Sequence, residues 1–218
     1  MRYNIGGDAM DILEQNADYI LCLKPAGVIS EEPGMPRLLR EAGCRQVWCV
    51  HRLDRETAGL MVYAASQHGA AFLSRAITEG RLEKEYLAVM SGNPGDRGEL
   101  RDLLFRDKAK NKSYVVDRMR KGVREAVLRY ETLERREGLS LVRIRLETGR
   151  SHQIRVQFTS RGFPLLGDSR YGSPVRGDLA LWSCRLRFPR PDGKGSVDKS
   201  VPPPDQWPWN LFSLAHRV

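Results

Sequence analysis

The sequence predicts an α+β protein with a largely antiparallel sheet and a few short helices. Stretches with the apolar or alternating pattern of strands outnumber helical stretches, and the two kinds do not alternate regularly along the chain. Residues 126–134 and 140–147 alternate polar and apolar side chains, which is typical of an antiparallel pair with one exposed face. The 218 residues suffice for one domain, or for two closely joined lobes, with a substantial hydrophobic core.

Short apolar runs bounded by turns predict four strands in the first half, over 19–23, 47–50, 60–65 and 82–90. We expect an N-terminal extension of about eighteen residues before the first of them. Two short helices are expected between the strands, over 37–42 and 67–78. Ser66 can cap the second helix and Gly80 can end it, because serine accepts backbone N–H bonds and glycine adopts a left-handed conformation.

In the second half, the alternating pair leads into a helix and then a hairpin. We expect Ser151 to cap the helix and Gly162 to end it. Ile154 and Phe158 face inward at helical spacing. An Asp-Gly pair favours a tight turn in the hairpin that follows. Its two strands are predicted over 179–188 and 196–201.

The composition is that of a globular protein with an excess of basic residues. Lys and Arg number 36 against 27 Asp and Glu, and the net charge of +9 favours a polyanionic partner without distinguishing RNA from DNA. No run of about 18 apolar residues and no apolar signal segment occur, so we expect a cytoplasmic protein that does not enter a membrane. The four cysteines form no C-x-x-C pair and are interpreted as free thiols, and the dispersed histidines predict no metal site.

Two segments carry candidate chemistry. Asp54 follows the apolar strand 47–50 and has basic neighbours. Such an aspartate either caps a turn or is held ionised as a nucleophile or base. Arg150 and Arg155 flank the start of the predicted helix, where they either bind phosphate or a carboxylate or are ordinary surface arginines.

Four motifs, in order, resemble those of the RluA-type pseudouridine synthase family. HRLDRETAGL at 51–60 resembles the signature HRLD-x-x-T-[SA]-GL, and Lys84-Glu85-Tyr86 resembles the K-x-Y motif. Lys24-Pro25-Ala26-Gly27 is similar to the early KP-x-G element. LETGRSHQIRVQFTSRGFPLLGDSRYG at 146–172 is similar to the late motif TGR-x-HQIR…G-x-P-[IL]-x-GD-x-x-YG. The resemblance extends from residue 21 to about residue 189.

The resemblance implies the pseudouridine-synthase fold, with a bent, mixed and largely antiparallel sheet, short helices and a cleft between two lobes. It implies one catalytic domain over 1–218, without a separate N-terminal RNA-binding domain. The implied reaction isomerises specific uridines of structured ribosomal RNA or tRNA without cofactor or metal. The base is flipped out, the glycosidic bond breaks, and the rotated uracil is re-attached through carbon 5. A monomer without an obligatory protein partner is the default of the family.

The resemblance also implies roles for individual residues. Asp54 is the essential catalytic residue, either attacking covalently or acting as a base on the ribose. Tyr86 packs on the target base and is a candidate to help remove the carbon 5 proton, and Arg155 forms an ion pair with Asp54. His51 and His152 are expected to form local hydrogen bonds.

Most of the excess charge lies in the segment 106–124, which has eight basic and two acidic residues. A charge run is usually a solvated face. Here we expect an extended loop between two sheet elements that closes on the RNA backbone. Together with residues nearer the motifs, six cations are expected to contact RNA: Arg52, Lys84, Lys108, Lys110, Lys112 and Arg150.

Two other classes of protein fit the sequence less well than the enzyme does. A non-catalytic RNA-binding protein or RNA-folding helper that keeps the fold would not require Asp54, Tyr86 and Arg155 together. A metal-dependent nuclease that uses Asp54 with His51 and His152 lacks the acidic cluster that magnesium prefers. The target RNA, the uridine position and the choice between the two routes for Asp54 are not encoded in these motifs.

Overall fold

A computed structural model describes residues 2–5, 8–215 and 217 of the chain. The strands are β1 (Arg2–Ile5), β2 (Asp8–Gln15), β3 (Tyr19–Lys24), β4 (Trp48–Cys49), β5 (Ala58–Ala64), β6 (Glu83–Ser91), β7 (Arg97–Asp107), β8 (Lys112–Val116), β9 (Val123–Arg136), β10 (Leu139–Leu146), β11 (Leu181–Pro189) and β12 (Ser196–Ser200). The α-helices are α1 (Met35–Glu41), α2 (Gln67–Thr78) and α3 (Gln153–Thr159). Two 3₁₀ helices cover Ser169–Tyr171 and Trp209–Leu211.

The chain divides into two compact units. The first unit comprises the residues up to Lys84 together with Trp182–Val201. The second unit comprises Glu85–Leu181 and the residues from Pro202 onward. None of the helices among the described residues is long and apolar enough to cross a membrane.

The first unit is built on a mixed sheet. Its strands run in the order β1-β2-β3-β5-β11, with β4 beside β5 and β12 beside β11. All of these pairs are antiparallel except β5 with β11, which run parallel where Gly59 lies opposite Ser183. Glycine is required there, because a Cβ on Gly59 would lie 2.4 Å from the carbonyl oxygen of Ser183. The predicted α+β class is therefore confirmed, with strands dominating and few helices.

Alternate apolar residues of the first unit form its core. Leu60 and Val62 of β5 pack with Tyr19 of β3, Phe188 of β11 and Leu73 of α2. Helix α2 begins as predicted, since the Oγ of its N-cap Ser66 accepts the Gly69 N–H at 2.9 Å. Its bounds, 67–78, are those expected from the sequence.

The second unit carries an antiparallel sheet in the order β6-β10-β9-β7-β8. Helix α3 packs on β7 and β8. Leu104, Ala126, Val156 and Tyr171 form a buried apolar cluster in this unit. The predicted pair of alternating strands is present as β9 and β10, in antiparallel register.

Four local expectations are wrong. Strands β1 and β2 occupy the expected N-terminal extension, and β2 was missed because a register shift between Ile12 and Glu14 breaks its alternation. The expected buried strand 47–50 has only two residues in β4, both half-buried. The expected basic loop is a β7–β8 hairpin, in which Asn111 takes a positive φ of 47°. Helix α3 is preceded by His152 at a φ of 55°, not by Ser151, and His152 makes no side-chain cap.

Candidate active site

Asp54 lies in the turn between β4 and β5, and hydrogen bonds fix the backbone on both sides of it. The carbonyl oxygen of Asp54 accepts the Thr57 N–H at 3.0 Å. The buried Ser30 hydroxyl accepts the N–H of Leu53 at 3.0 Å and donates to the Leu53 carbonyl at 2.9 Å. Asp54 itself is half-buried. Its carboxylate is thus carried by a backbone that has little freedom to move.

The ammonium group of Lys24, at the end of β3, ties two loops around this turn. Its Nζ donates to the carbonyl oxygens of Pro25 at 2.8 Å, Val28 at 2.6 Å and Arg55 at 3.1 Å. Lys24 is only 1% exposed, and all three of its N–H groups have acceptors. Burial lowers the pKa of Lys24 to about 8, against the opposing effect of the Asp54 and Glu56 charges. Lys24 of the KP-x-G element therefore holds the backbone of Arg55, the residue after Asp54, in place.

His51 is a buried hydrogen-bond acceptor. Its Nε2 accepts the N–H of Val62 at 3.2 Å. Burial, together with the charge of Lys84, holds the pKa of His51 well below its usual 6.5. The ring is therefore neutral at pH 7, and the local hydrogen bond expected from the sequence is confirmed.

Arg52 and Lys84 are the two expected RNA-binding cations of the first unit. The Nη1 of Arg52 lies 3.1 Å from both carboxylate oxygens of Glu31, and both side chains are about half exposed. Such a surface pair contributes little stability, so Arg52 can exchange this partner for another anion. Lys84 is half-buried, and burial lowers its pKa to about 8.

In the second unit, Tyr86 is 5% exposed and lies opposite Ile144 in the β6–β10 pair. Leu87 and Ala88 are also buried, so both faces of β6 are covered at this point. The packing of β6 therefore leaves Tyr86 little freedom to move.

A buried ion pair joins Arg155 of α3 to Asp168. The Arg155 Nε lies 2.7 Å from Oδ2 of Asp168, and Nη2 lies 2.8 Å from Oδ1. The two side chains are 3% and 0% exposed. Asp168 also caps the following 3₁₀ helix by accepting the Tyr171 N–H. The sequence does not predict this ion pair, although both residues lie within the late motif.

Arg150 is exposed in the loop between β10 and α3. Its Nε donates to the Glu125 carbonyl at 2.8 Å, and its backbone N–H donates to Oε1 of Gln153 at 2.9 Å. These bonds hold the Arg150 backbone and its guanidinium group beside Glu125 of β9.

The β7–β8 hairpin presents Lys108 and Lys110 at its exposed turn. Lys112 is half-buried, with its Nζ 5.0 Å from the centre of the Tyr171 ring. Within the described part of the chain, none of these three lysines forms an ion pair with a carboxylate. By contrast, four arginines of β9 and β10 have carboxylate partners, in the pairs Arg129–Glu99, Arg135–Asp96, Arg136–Glu134 and Arg143–Glu131. The turn of the hairpin therefore carries exposed positive charge that no neighbouring carboxylate balances.

No cluster of three or more His, Cys, Asp or Glu side chains suited to a metal ion occurs among the described residues. The four cysteines are free thiols, three of them buried and Cys49 half-buried.

Comparison with known proteins gives one family. The model of the family described as RNA pseudouridylate synthase matches residues 18–160. An uncharacterized RNA pseudouridine synthase of Haemophilus influenzae is 31% identical over 168 residues, which cover 75% of this chain and 74% of that protein. The ribosomal large subunit pseudouridine synthase D of Haemophilus ducreyi is 38% identical over 141 residues. That match covers 63% of this chain and 42% of the relative, so the chain spans less than half of its length.

The fold has a counterpart among solved structures. Human RNA pseudouridylate synthase domain containing 1 superposes with a TM-score of 0.77, covering 90% of this chain and 84% of the human chain. The sequence identity is 22%, so this likeness concerns the fold alone.

We predict that Asp168→Ala lowers the free energy of unfolding by about 3–5 kcal/mol, because it removes the carboxylate that balances a buried guanidinium group. Asp198→Ala is the matched control, since Asp198 binds Arg185 with the same two-bond geometry at 2.7 Å but at the surface. The control should lose at most about 1 kcal/mol. Urea unfolding measures both values, and equal losses would contradict the burial of the Arg155–Asp168 pair.

We also predict a pH effect from His51. The folded protein keeps this ring neutral, whereas in the unfolded chain it takes up a proton below pH 6.5. Unfolding thus becomes easier as the pH falls below 6.5, by up to about 1.4 kcal/mol per pH unit. The His51→Gln variant lacks this contribution, so its stability should fall less steeply in urea titrations between pH 7 and pH 5. Parallel curves for the two proteins would rule out a buried neutral His51.

Proposed function

Because this chain belongs to the RNA pseudouridylate synthase family, and is an enzyme of RNA modification, we propose that it isomerises specific uridines with Asp54 as the essential catalytic residue. The target base leaves the RNA stack, its glycosidic bond breaks, the uracil rotates, and a new bond forms from the ribose to carbon 5. The atoms of substrate and product are the same, so the reaction consumes no co-reactant. Asp54 either forms a covalent intermediate or removes a proton from the ribose.

The fixed turn at Asp54 is the observation that carries this proposal. Both routes require one carboxylate oxygen to meet one ribose atom at short range, and freezing that geometry beforehand removes an entropic part of the barrier. Ser30 and Lys24 restrain the residues on either side of Asp54 through buried hydrogen bonds. A turn needed only to connect β4 with β5 would not require a buried ammonium group.

Tyr86 and Arg155 complete the proposed machinery. Flipping a base costs a few kcal/mol, and stacking on an aromatic ring such as Tyr86 returns about 1–3 kcal/mol. The family resemblance assigns Arg155 an ion pair with Asp54, which would keep that carboxylate charged. Asp168 supports this role because its two hydrogen bonds set the plane of the guanidinium group.

We assign RNA binding to the β7–β8 hairpin with its three lysines, called the basic hairpin below, and to Arg52, Lys84 and Arg150. Phosphate contacts supply affinity and position the nucleic acid without reading its sequence. Since the relative from Haemophilus ducreyi is named for the large ribosomal subunit, ribosomal RNA is the first substrate to test and tRNA the second. The proposed enzyme acts in the cytoplasm as a monomer.

Asp54→Asn should abolish the reaction while leaving RNA affinity within about threefold. The assay measures tritium released from ribosomal RNA or tRNA transcribed with uridine labelled at carbon 5, at enzyme excess. Losing an essential catalytic group lowers the rate by at least about a thousandfold. Asp192→Asn, in the exposed β11–β12 turn, is the control and should retain the wild-type rate.

Two outcomes would contradict this proposal. Wild-type protein that binds RNA but releases no tritium from any cellular RNA would instead be the RNA-binding helper considered above. Release that persists in Asp54→Asn would remove Asp54 from the catalytic role.

Replacing Lys108, Lys110 and Lys112 together with alanine should weaken RNA binding and reduce its dependence on salt. Each lost phosphate contact lowers the slope of log K against log salt concentration by about 0.7–0.9, so the triple variant should lose roughly 2 units. The control replaces three arginines that already have carboxylate partners, Arg101, Arg129 and Arg143. Both variants change the net charge equally, so equal salt slopes would reject a specific role for the hairpin.

A further inference from the structure

Tyr171 lies where the basic hairpin meets the helix that carries Arg155. Its hydroxyl oxygen accepts the backbone N–H of Ser113 at 2.8 Å and donates to the Ser113 carbonyl at 3.2 Å. The same oxygen lies 2.9 Å from Nδ1 of His152. A phenol has one proton and two acceptor positions, so all three contacts are satisfied together when His152 carries its proton on Nδ1. Tyr171 thus holds strand β8 and the residue before α3 at one point.

The ring of Tyr171 contacts one cation of strand β8 and one cation of helix α3. The Arg155 guanidinium carbon lies 5.2 Å from the ring centre, and the Lys112 ammonium lies 5.0 Å from it. Both distances are within the range of cation–π attraction. The backbone N–H of Tyr171 is held by Asp168, which is the partner of Arg155. One side chain therefore contacts a hairpin lysine, the arginine and the support of that arginine.

Three further hydrogen bonds join the hairpin to the same place. The Ser113 hydroxyl donates to the Ser151 carbonyl at 2.7 Å, and Nη1 of Arg106 donates to the Ser151 hydroxyl at 2.7 Å. Nη1 of Arg170 donates to the Asn111 carbonyl at 3.3 Å. Of these links, the contacts made by Tyr171 are the most buried, since Tyr171 and Ser113 are 6% and 2% exposed.

We propose that Tyr171 is a positioning residue that holds the basic hairpin in register with Arg155, so that RNA bound by the hairpin lysines is set correctly for the reaction. This role rests on the function proposed above. Attraction between ammonium groups and phosphates is weakly directional, so RNA still binds when the hairpin shifts. The chemical step is far more sensitive, since a misplacement of about 1 Å can cost about a hundredfold in rate.

The test compares Tyr171→Phe with Tyr130→Phe. The first variant keeps the ring over Arg155 and loses only the hydroxyl that holds Ser113 and His152. Tyr130→Phe is the control for loss of a structural hydroxyl in the same unit, because Tyr130 donates to the Pro94 carbonyl at 2.6 Å. At saturating RNA, single-turnover tritium release should fall about 10- to 100-fold in Tyr171→Phe and stay unchanged in the control. The RNA dissociation constant should change less than about threefold in both.

An unchanged rate, or a loss of affinity that accounts for the whole loss of activity, would overturn this role.

Hydrogen exchange separates this inference from the proposed function, because it does not depend on catalysis. Ribosomal RNA transcribed in vitro should slow amide exchange in wild-type segments 108–116 and 150–158. In Tyr171→Phe the slowing should persist in 108–116 and be lost in 150–158. Slowing of both segments in the variant, or of neither in the wild type, would refute the link. The exchange pattern with no tritium release by the wild type would refute the proposed reaction alone.

Discussion

The buried pair of Arg155 and Asp168 is the interaction on which the second unit's candidate residues depend. Removing two charges from water costs several kcal/mol per ion, so such a pair is a weak source of stability even with two hydrogen bonds. The pair does fix the orientation of the Arg155 guanidinium group, because two parallel N–H bonds to one carboxylate restrict rotation of its plane. Through Asp168 the same pair also determines where the 3₁₀ helix begins and hence where Tyr171 lies.

The first unit restrains its candidate residue by different means. Around Asp54 the buried cation is an ammonium group that binds three backbone carbonyls, and the buried histidine is neutral. A lysine can serve here because its three N–H groups point in three directions and so reach three carbonyl oxygens on two loops. The carboxylate of Asp54 is therefore carried by a turn whose backbone is restrained on both sides.

The sequence predicts an element correctly where residues that are close together in the chain determine it. Helix α2 with its Ser66 cap and the β11–β12 hairpin depend on neighbouring residues, and both were predicted. Strand β2 was missed because a bulge disrupts its alternation, and β8 because it is a short run of strand-forming residues that follows the lysines of the turn and begins with Lys112. The four motifs identified Asp54, Tyr86 and Arg155 as candidates. They could not indicate that Arg155 pairs with Asp168 or that Tyr171 binds Ser113, because those contacts join residues far apart in the chain.

Strand β8 is the last in the strand order of its unit and is therefore an edge strand. An edge strand offers backbone groups on which another chain can add a strand, and proteins commonly block such edges with lysines. Here the Tyr171 hydroxyl takes up both backbone groups of Ser113, as a neighbouring strand would. Lys112 adds a charge at the start of the same edge. Lys112, which is assigned to RNA, thus also lies where a charge disfavours pairing of this edge with another copy of the protein.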